Sequence, residues 1–127
     1  ESERTRVLIV DDDASVCAML RRVFADEHAL SFASHGEEAL ERLRQGDRFD
    51  LVLCDLMMPG MSGAELHAEV ARRWPGLAAS FVFLSGGVFS GDAAAYMRKA
   101  DIPQLVKPIE PDALREFVRQ RIAQLRR

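Results

Sequence analysis

The sequence predicts an α/β domain, a (βα)5 chain whose five-stranded parallel sheet is covered by helices on both faces. Three observations carry this. Val7–Val10, Leu51–Cys54 and Ser80–Leu84 are short, nearly continuous apolar runs, the pattern of strands buried on both faces. The segments between them repeat apolar residues at helical spacing. Strand-like and helix-like segments alternate throughout, which calls for right-handed crossovers between parallel strands. At 127 residues the chain suits one domain and is short for two. Its 48% hydrophobic and 29% charged residues fit a globular protein. A net charge of −3 and a pI near 5.6 weigh against direct nucleic-acid binding, which favours basic surfaces. No apolar run approaches the roughly 18 residues of a membrane span.

Residues 1–5 are polar, without the apolar stretch of a signal peptide, and predict a flexible leader. The chain does not start with Met, so a piece of a longer protein is expected. The first strand, Val7–Val10, runs into Asp11-Asp12-Asp13. Asp13 can cap a helix with the stripe Val16, Leu20, Val23, Phe24. A second strand covers Ala29–Ala33. Ser34 and Glu37 have capping-box spacing ahead of a helix carrying Ala39, Leu40 and Leu43, with Gly46 as its C′ residue. After Leu51–Cys54 come Asp55 and a turn containing Pro59, Gly60 and Gly63. Ser62 and Glu65 match a second capping box, and Leu66 and Val70 give that helix an inner face that Pro75-Gly76 ends. The fourth strand, Ser80–Leu84, precedes Ser85-Gly86-Gly87. A shallow Ala-rich helix spans about Gly91 to Lys99. Leu105-Val106 centre a fifth strand, closed by Lys107-Pro108. Glu110 or Asp112, with Pro111, starts a last helix striped by Leu114, Phe117, Val118, Ile122 and Leu125.

In a parallel sheet all strand C-termini share one edge, where open α/β sheets keep their ligand sites. That edge receives Asp11, Asp12 and Asp13, then Asp55, Ser85 and Lys107. Close carboxylates raise one another's pKa unless a cation compensates. Mg²⁺ suits such a set, since it takes one or two carboxylates plus water and phosphate oxygens. A hydroxyl and an ammonium fit the other oxygens of a phosphoryl group, and one carboxylate can then act as nucleophile and form an acyl phosphate. Asp55, alone on its strand opposite the acidic pair, is the best candidate. Cys17 and Cys54 lie in apolar patterns and read as free thiols of a reducing cytoplasm.

Val10-Asp11-Asp12, the segment Asp55 to Gly63, Leu84-Ser85-Gly86-Gly87 and Lys107-Pro108 together resemble the response regulator receiver domains of two-component signalling, the CheY-like superfamily. The likeness covers nearly the whole chain. It implies a flavodoxin-like sheet of strand order 2-1-3-4-5 and a single receiver domain over residues 1–127. It also implies a bacterial, cytoplasmic phosphorelay protein rather than a turnover enzyme. Asp55 would accept a phosphoryl group from a histidine kinase or phosphotransfer protein. Asp11, Asp12, Asp55 and the Met57 carbonyl would hold Mg²⁺ or Mn²⁺, with Asp12 the more direct ligand of the first pair. Ser85 and Lys107 would bind phosphoryl oxygens, and the Lys107–Pro108 peptide would be cis. The effector is not implied, and homodimerisation through the output face is left open. Gly after the strand-four Ser resembles receivers attached to hybrid sensor kinases.

The chain departs from the family at Gln104, where a switch aromatic often stands three residues before the Lys. An amide cannot enter an apolar pocket without stranding its polar atoms, so switching there is expected to be weak or differently wired. The bland alternative puts Gln104 on the solvent face. Met57 and Gly87 stand where polar side chains often speed dephosphorylation, which predicts a long-lived phospho-Asp55. Arg115, Arg119, Arg121, Arg126 and Arg127 read as a solvated face, and His28, His35 and His67 have no metal-ligand spacing. A second function class is a haloacid-dehalogenase-like phosphatase, with Asp11 as nucleophile and Asp13 as acid/base. It lacks a late acidic pair and leaves Asp55 unexplained. A third is a phosphorylation-independent interaction module, disfavoured by the intact set Asp11, Asp12, Asp55, Ser85 and Lys107.

Overall fold

The computed structural model describes residues 4–86 and 91–126. Its elements follow the order β1 (Thr5–Val10), α1 (Ala14–Phe24), β2 (His28–Ala33), α2 (Gly36–Arg44), β3 (Leu51–Asp55), α3 (Gly63–Arg73), α4 (Pro75–Ala78), β4 (Phe81–Ser85), α5 (Asp92–Ala100), β5 (Gln104–Val106) and α6 (Pro111–Leu125). The five strands form one parallel sheet in the order β2-β1-β3-β4-β5.

Strand alternation divides the apolar runs between two cores. Leu8, Val10, Val52, Cys54, Phe81 and Phe83 face one side, under Leu40, Leu43, Leu66, Val70 and Met97. Val7, Ile9, Leu51, Leu53, Val82 and Leu84 face the other, under Leu20, Phe24, Leu114, Val118 and Ile122 of α1 and α6. Burial on both faces is why these runs are continuous rather than alternating.

Local chemistry sets the helix ends. Asp13 caps α1 by accepting from the Ser15 and Val16 amides. Ser62 and Glu65 form a complete capping box on α3. Glu110 caps α6, with Pro111 in the first turn. After α2, Gly46 takes φ +97°; its N–H reaches the Leu43 carbonyl and the Asp47 N–H reaches Arg42, a Schellman closure.

Several expectations need correction. Residues 4 and 5 do not belong to a flexible segment: Thr5 is buried and pairs with His28 as the first residue of β1, and the Arg4 guanidinium donates to the Ala25 and His28 carbonyls. The α2 cap lies one residue later than Ser34/Glu37. His35 Nδ1 accepts from the Glu38 amide, while the Glu38 carboxylate turns back to the Ser34 N–H and hydroxyl. Asp55 and Ser85 are the last residues of their strands, not the first beyond them. Pro75-Gly76 do end α3, but Pro75 also starts the four-residue α4, so the described residues hold six helices rather than five.

Candidate functional site

Sheet register assembles the site. Val10 pairs with Cys54, which brings Asp11 beside Asp55. Asp55 pairs with Leu84, setting Ser85 one step further along the edge. Ser85 pairs with Val106, and the Lys107 N–H donates to the Ser85 carbonyl, which delivers Lys107. Asp11, Asp55 and Ser85 are buried, Asp12 is exposed, and Lys107 is half-buried. The Lys107–Pro108 peptide is cis, as the family likeness implies.

The Lys107 ammonium lies 3.2 Å from Asp11 Oδ2 and 3.6 Å from Asp55 Oδ1. Carboxylate oxygens of Asp11, Asp12 and Asp55 all come within 4.8 Å of one another. Burial, and then the Asp11 charge, push Asp55 up from 3.8 to about 6; Lys107 and the Met57 N–H only partly offset this. Burial pulls the Lys107 ammonium down, but Asp11 and Asp55 outweigh it, and its pKa is raised. One cation therefore faces three carboxylates. Oxygen ligands around one Mg²⁺ at about 2.1 Å stand roughly 3 to 4 Å apart, so a small closure of these groups would enclose a hard divalent cation. The donor set fits such an ion.

Around this cluster, the Met57 N–H donates to Asp55 Oδ1 at 3.3 Å, and the Met57 side chain points away, 57% exposed. The Ser85 hydroxyl is buried and has no hydrogen-bond partner among the described residues. Buried hydroxyls are rarely left so, and a ligand oxygen would satisfy it. Gly63 is required for close approach: a Cβ there would run into the Asp55 carbonyl oxygen and come 3.1 Å from the Phe83 ring. Asp13 does not join the cluster. Its carboxylate takes the Ser15 N–H and hydroxyl and the Val16 N–H, and the Ser15 hydroxyl bond chiefly holds its pKa down. Gln104 is exposed on the edge strand, so its amide is solvated. Gly87 lies outside the described residues. Both cysteines are free.

Two histidines set aside on the sequence have structural roles. His35 caps α2. His67 is buried, and its ring nitrogens contact the Tyr96 hydroxyl and the Ala78 carbonyl. Helical spacing carried the signal for His67, which falls beside Leu66 and three residues before Val70 on the inner face of α3.

A family model described as the response regulator receiver domain matches residues 7–119. The chain is 35% identical over 121 residues to the hydrogenase transcriptional regulatory protein HoxA of Cupriavidus necator, covering 94% of this chain and 24% of that protein. It is 32% identical over 126 residues to the transcriptional regulatory protein ZraR of Klebsiella oxytoca, covering 98% and 28%. The chain thus spans about a quarter of the length of these relatives. Among solved structures, a CheY-like response regulator receiver domain protein from Methanospirillum hungatei superposes with a TM-score of 0.86 over 98% of each chain at 23% identity, a likeness of fold. With the Asp11, Asp12, Asp55, Ser85 and Lys107 motifs on one sheet edge, the chain belongs to the response regulator receiver domain family.

Proposed function

We propose that this chain, as one receiver domain, is a phosphoacceptor of a two-component phosphorelay, with Asp55 the residue that takes the phosphoryl group. The donor is a phosphohistidine on a kinase or phosphotransfer protein. One observation carries the reading: Asp55 is buried at a strand end, beside two further carboxylates and 3.6 Å from an ammonium, with a buried hydroxyl on the neighbouring strand that has no partner among the described residues.

An Asp55 carboxylate oxygen attacks phosphorus in line with the donor imidazole. The new O–P bond forms as the P–N bond breaks, and the leaving imidazole keeps the electron pair and takes a proton. The attack needs the carboxylate form, which a pKa of about 6 leaves dominant at neutral pH. Lys107 and the Ser85 hydroxyl bind phosphoryl oxygens and offset their charge. Asp11, Asp12, Asp55 and the Met57 carbonyl would hold Mg²⁺ or Mn²⁺, which when bound neutralises charge shared by the carboxylates and the transferred group. The domain assists its own phosphorylation and slow dephosphorylation and is not a turnover enzyme. A cytoplasmic setting suits the donor and the free thiols, and no described helix is long and apolar enough to cross a membrane. Contact with nucleic acid would belong to a downstream or fused effector.

The phosphatase alternative needs Asp13 as acid/base, but its carboxylate is committed to capping α1. Incubation with Mg²⁺ and acetyl phosphate, followed by intact mass, tests the reading. It predicts one phosphoryl adduct in wild type and none in Asp55→Asn. Turnover that survives Asp55→Asn but not Asp11→Asn contradicts it.

A further inference from the structure

Helix α5 is lightly anchored. Met97 is its one buried residue, and Gly91 at its start gives no side-chain cap, whereas α3 has a complete capping box and buries Leu66, His67 and Val70. The polar contact that ties α5 inward is made by Tyr96, whose hydroxyl meets Nδ1 of buried His67 on α3. Nε2 of the same ring lies 3.1 Å from the Ala78 carbonyl. A carbonyl only accepts, so Nε2 carries the proton and Nδ1 accepts from the Tyr96 O–H. The ring is thereby fixed at both nitrogens.

This tie is connected to the acidic site at two points. Helix α3 starts at Gly63, where the chain touches the Asp55 carbonyl oxygen so closely that a Cβ has no room. The His67 ring also packs edge-on to Phe81 and Phe83, with centroids 4.9 and 6.0 Å away, and Tyr96 closes the group at 5.5 Å. Phe81, Phe83 and Ser85 alternate along β4 and share one side of the sheet. A shift at Asp55 or Ser85 therefore reaches a close-packed aromatic group whose outer member is Tyr96. On β5, by contrast, the corresponding edge position is the solvated Gln104, which pairs with Phe83.

We propose that His67 and Tyr96 are positioning residues: their hydrogen bond holds α5 in its unphosphorylated arrangement, and phosphorylation of Asp55 is coupled to its release. The proposal rests on Asp55 being the phosphoacceptor. By linkage, a contact present in only one of two states opposes the ligand that favours the other. Removing one neutral hydrogen bond should therefore tighten binding of a phosphoryl mimic by about 2- to 10-fold.

The test uses beryllofluoride with Mg²⁺, titrated by calorimetry into wild type, Tyr96→Phe, His67→Phe and the double variant, with amide hydrogen exchange on each free protein. Tyr96→Phe keeps the ring and its packing, so it reports on the bond alone. The expected result is faster exchange in residues 92–100 with α6 unchanged, 2- to 10-fold tighter beryllofluoride binding in each single variant, and no further gain in the double. Unchanged exchange in residues 92–100 of Tyr96→Phe overturns the tie, whatever happens at Asp55. Faster exchange with unchanged affinity overturns the coupling, and independent gains that add in the double variant overturn the bond as its carrier. No beryllofluoride binding to wild type, or binding that survives Asp55→Asn, overturns the phosphoacceptor reading and the coupling with it, while the exchange result still decides the tie.

Discussion

Replacing Asp55 by Asn should make the metal-free protein more stable at neutral pH, although it removes an ion pair. Asp55 lies 3.6 Å from Lys107, and losing that attraction alone would destabilise. Yet the net shift of its carboxyl is upward, from 3.8 to about 6, because burial and the Asp11 charge outweigh Lys107. Two pKa units at 1.36 kcal/mol each make the ionised group a cost of about 3 kcal/mol. Asn keeps the size and can still accept from the Met57 N–H, so about 2 to 3 kcal/mol should be recovered, a gain on the order of 1 M in urea midpoint. The pH dependence has a definite sign. Below 3.8 both folded and unfolded forms are protonated and there is no penalty; the penalty grows as pH rises to about 6 and is constant above. The stability gap between Asp55→Asn and wild type should therefore open between about pH 4 and 6. Mg²⁺ should narrow it by binding wild type better. Urea unfolding in EDTA across this range, with and without Mg²⁺, measures all of this. A variant less stable than wild type at pH 7.5 in EDTA, or a gap that does not shrink between pH 7 and pH 4.5, would refute the reasoning.

Other outcomes follow from the same geometry. Gly63→Ala should cost about 1 to 3 kcal/mol in urea unfolding and slow adduct formation, because its Cβ meets the rigid Asp55 backbone rather than a flexible side chain; wild-type stability and phosphorylation would show that the contact relaxes. Lys107→Met should abolish the acetyl phosphate adduct and lower metal-free stability near neutral pH, since Asp11 and Asp55 lose their shared cation. Burial lowers the His67 pKa below 6.5, so the unfolded chain takes up that proton first and stability should fall as pH drops below 6.5; His67→Phe should flatten this part of the urea-midpoint profile, and an unchanged slope would assign it elsewhere. The exposed Met57 side chain cannot orient water by a hydrogen bond, so phospho-Asp55 should last minutes or longer in a phosphate-release assay, and decay within seconds would contradict that.

Much of this molecule was legible from periodicity. Val7–Val10 and Leu51–Cys54 are continuous because each residue meets one core or the other, and the parallel register of the two strands puts Asp11 and Asp55 side by side. The site could be read because parallel strands end together, so residues far apart in sequence meet without any local signal between them. Local chemistry was harder where partners compete. Ser34 had the spacing for a capping box, but Glu38 reaches back to it, and the imidazole of His35 takes the cap instead. Pro75 marks a stop in the pattern of α3, yet its fixed φ also suits the first turn of α4. The absence of metal-ligand spacing leaves His67 without a role, whereas its place on the inner stripe of α3 puts it among Phe81, Phe83 and Tyr96. Its hydrogen bonds depend on tertiary neighbours that no spacing within the helix reports.

Borohydride trapping tests the phosphoacceptor assignment most directly. Reduction of the protein after Mg²⁺ and acetyl phosphate treatment converts an acyl phosphate to an alcohol, and peptide mass mapping then locates the reduced carboxyl. The account predicts one reduced residue, Asp55, dependent on Mg²⁺. Reduction at Asp11 or Asp12, or no reduced residue under conditions that yield a phosphoryl adduct, would contradict it.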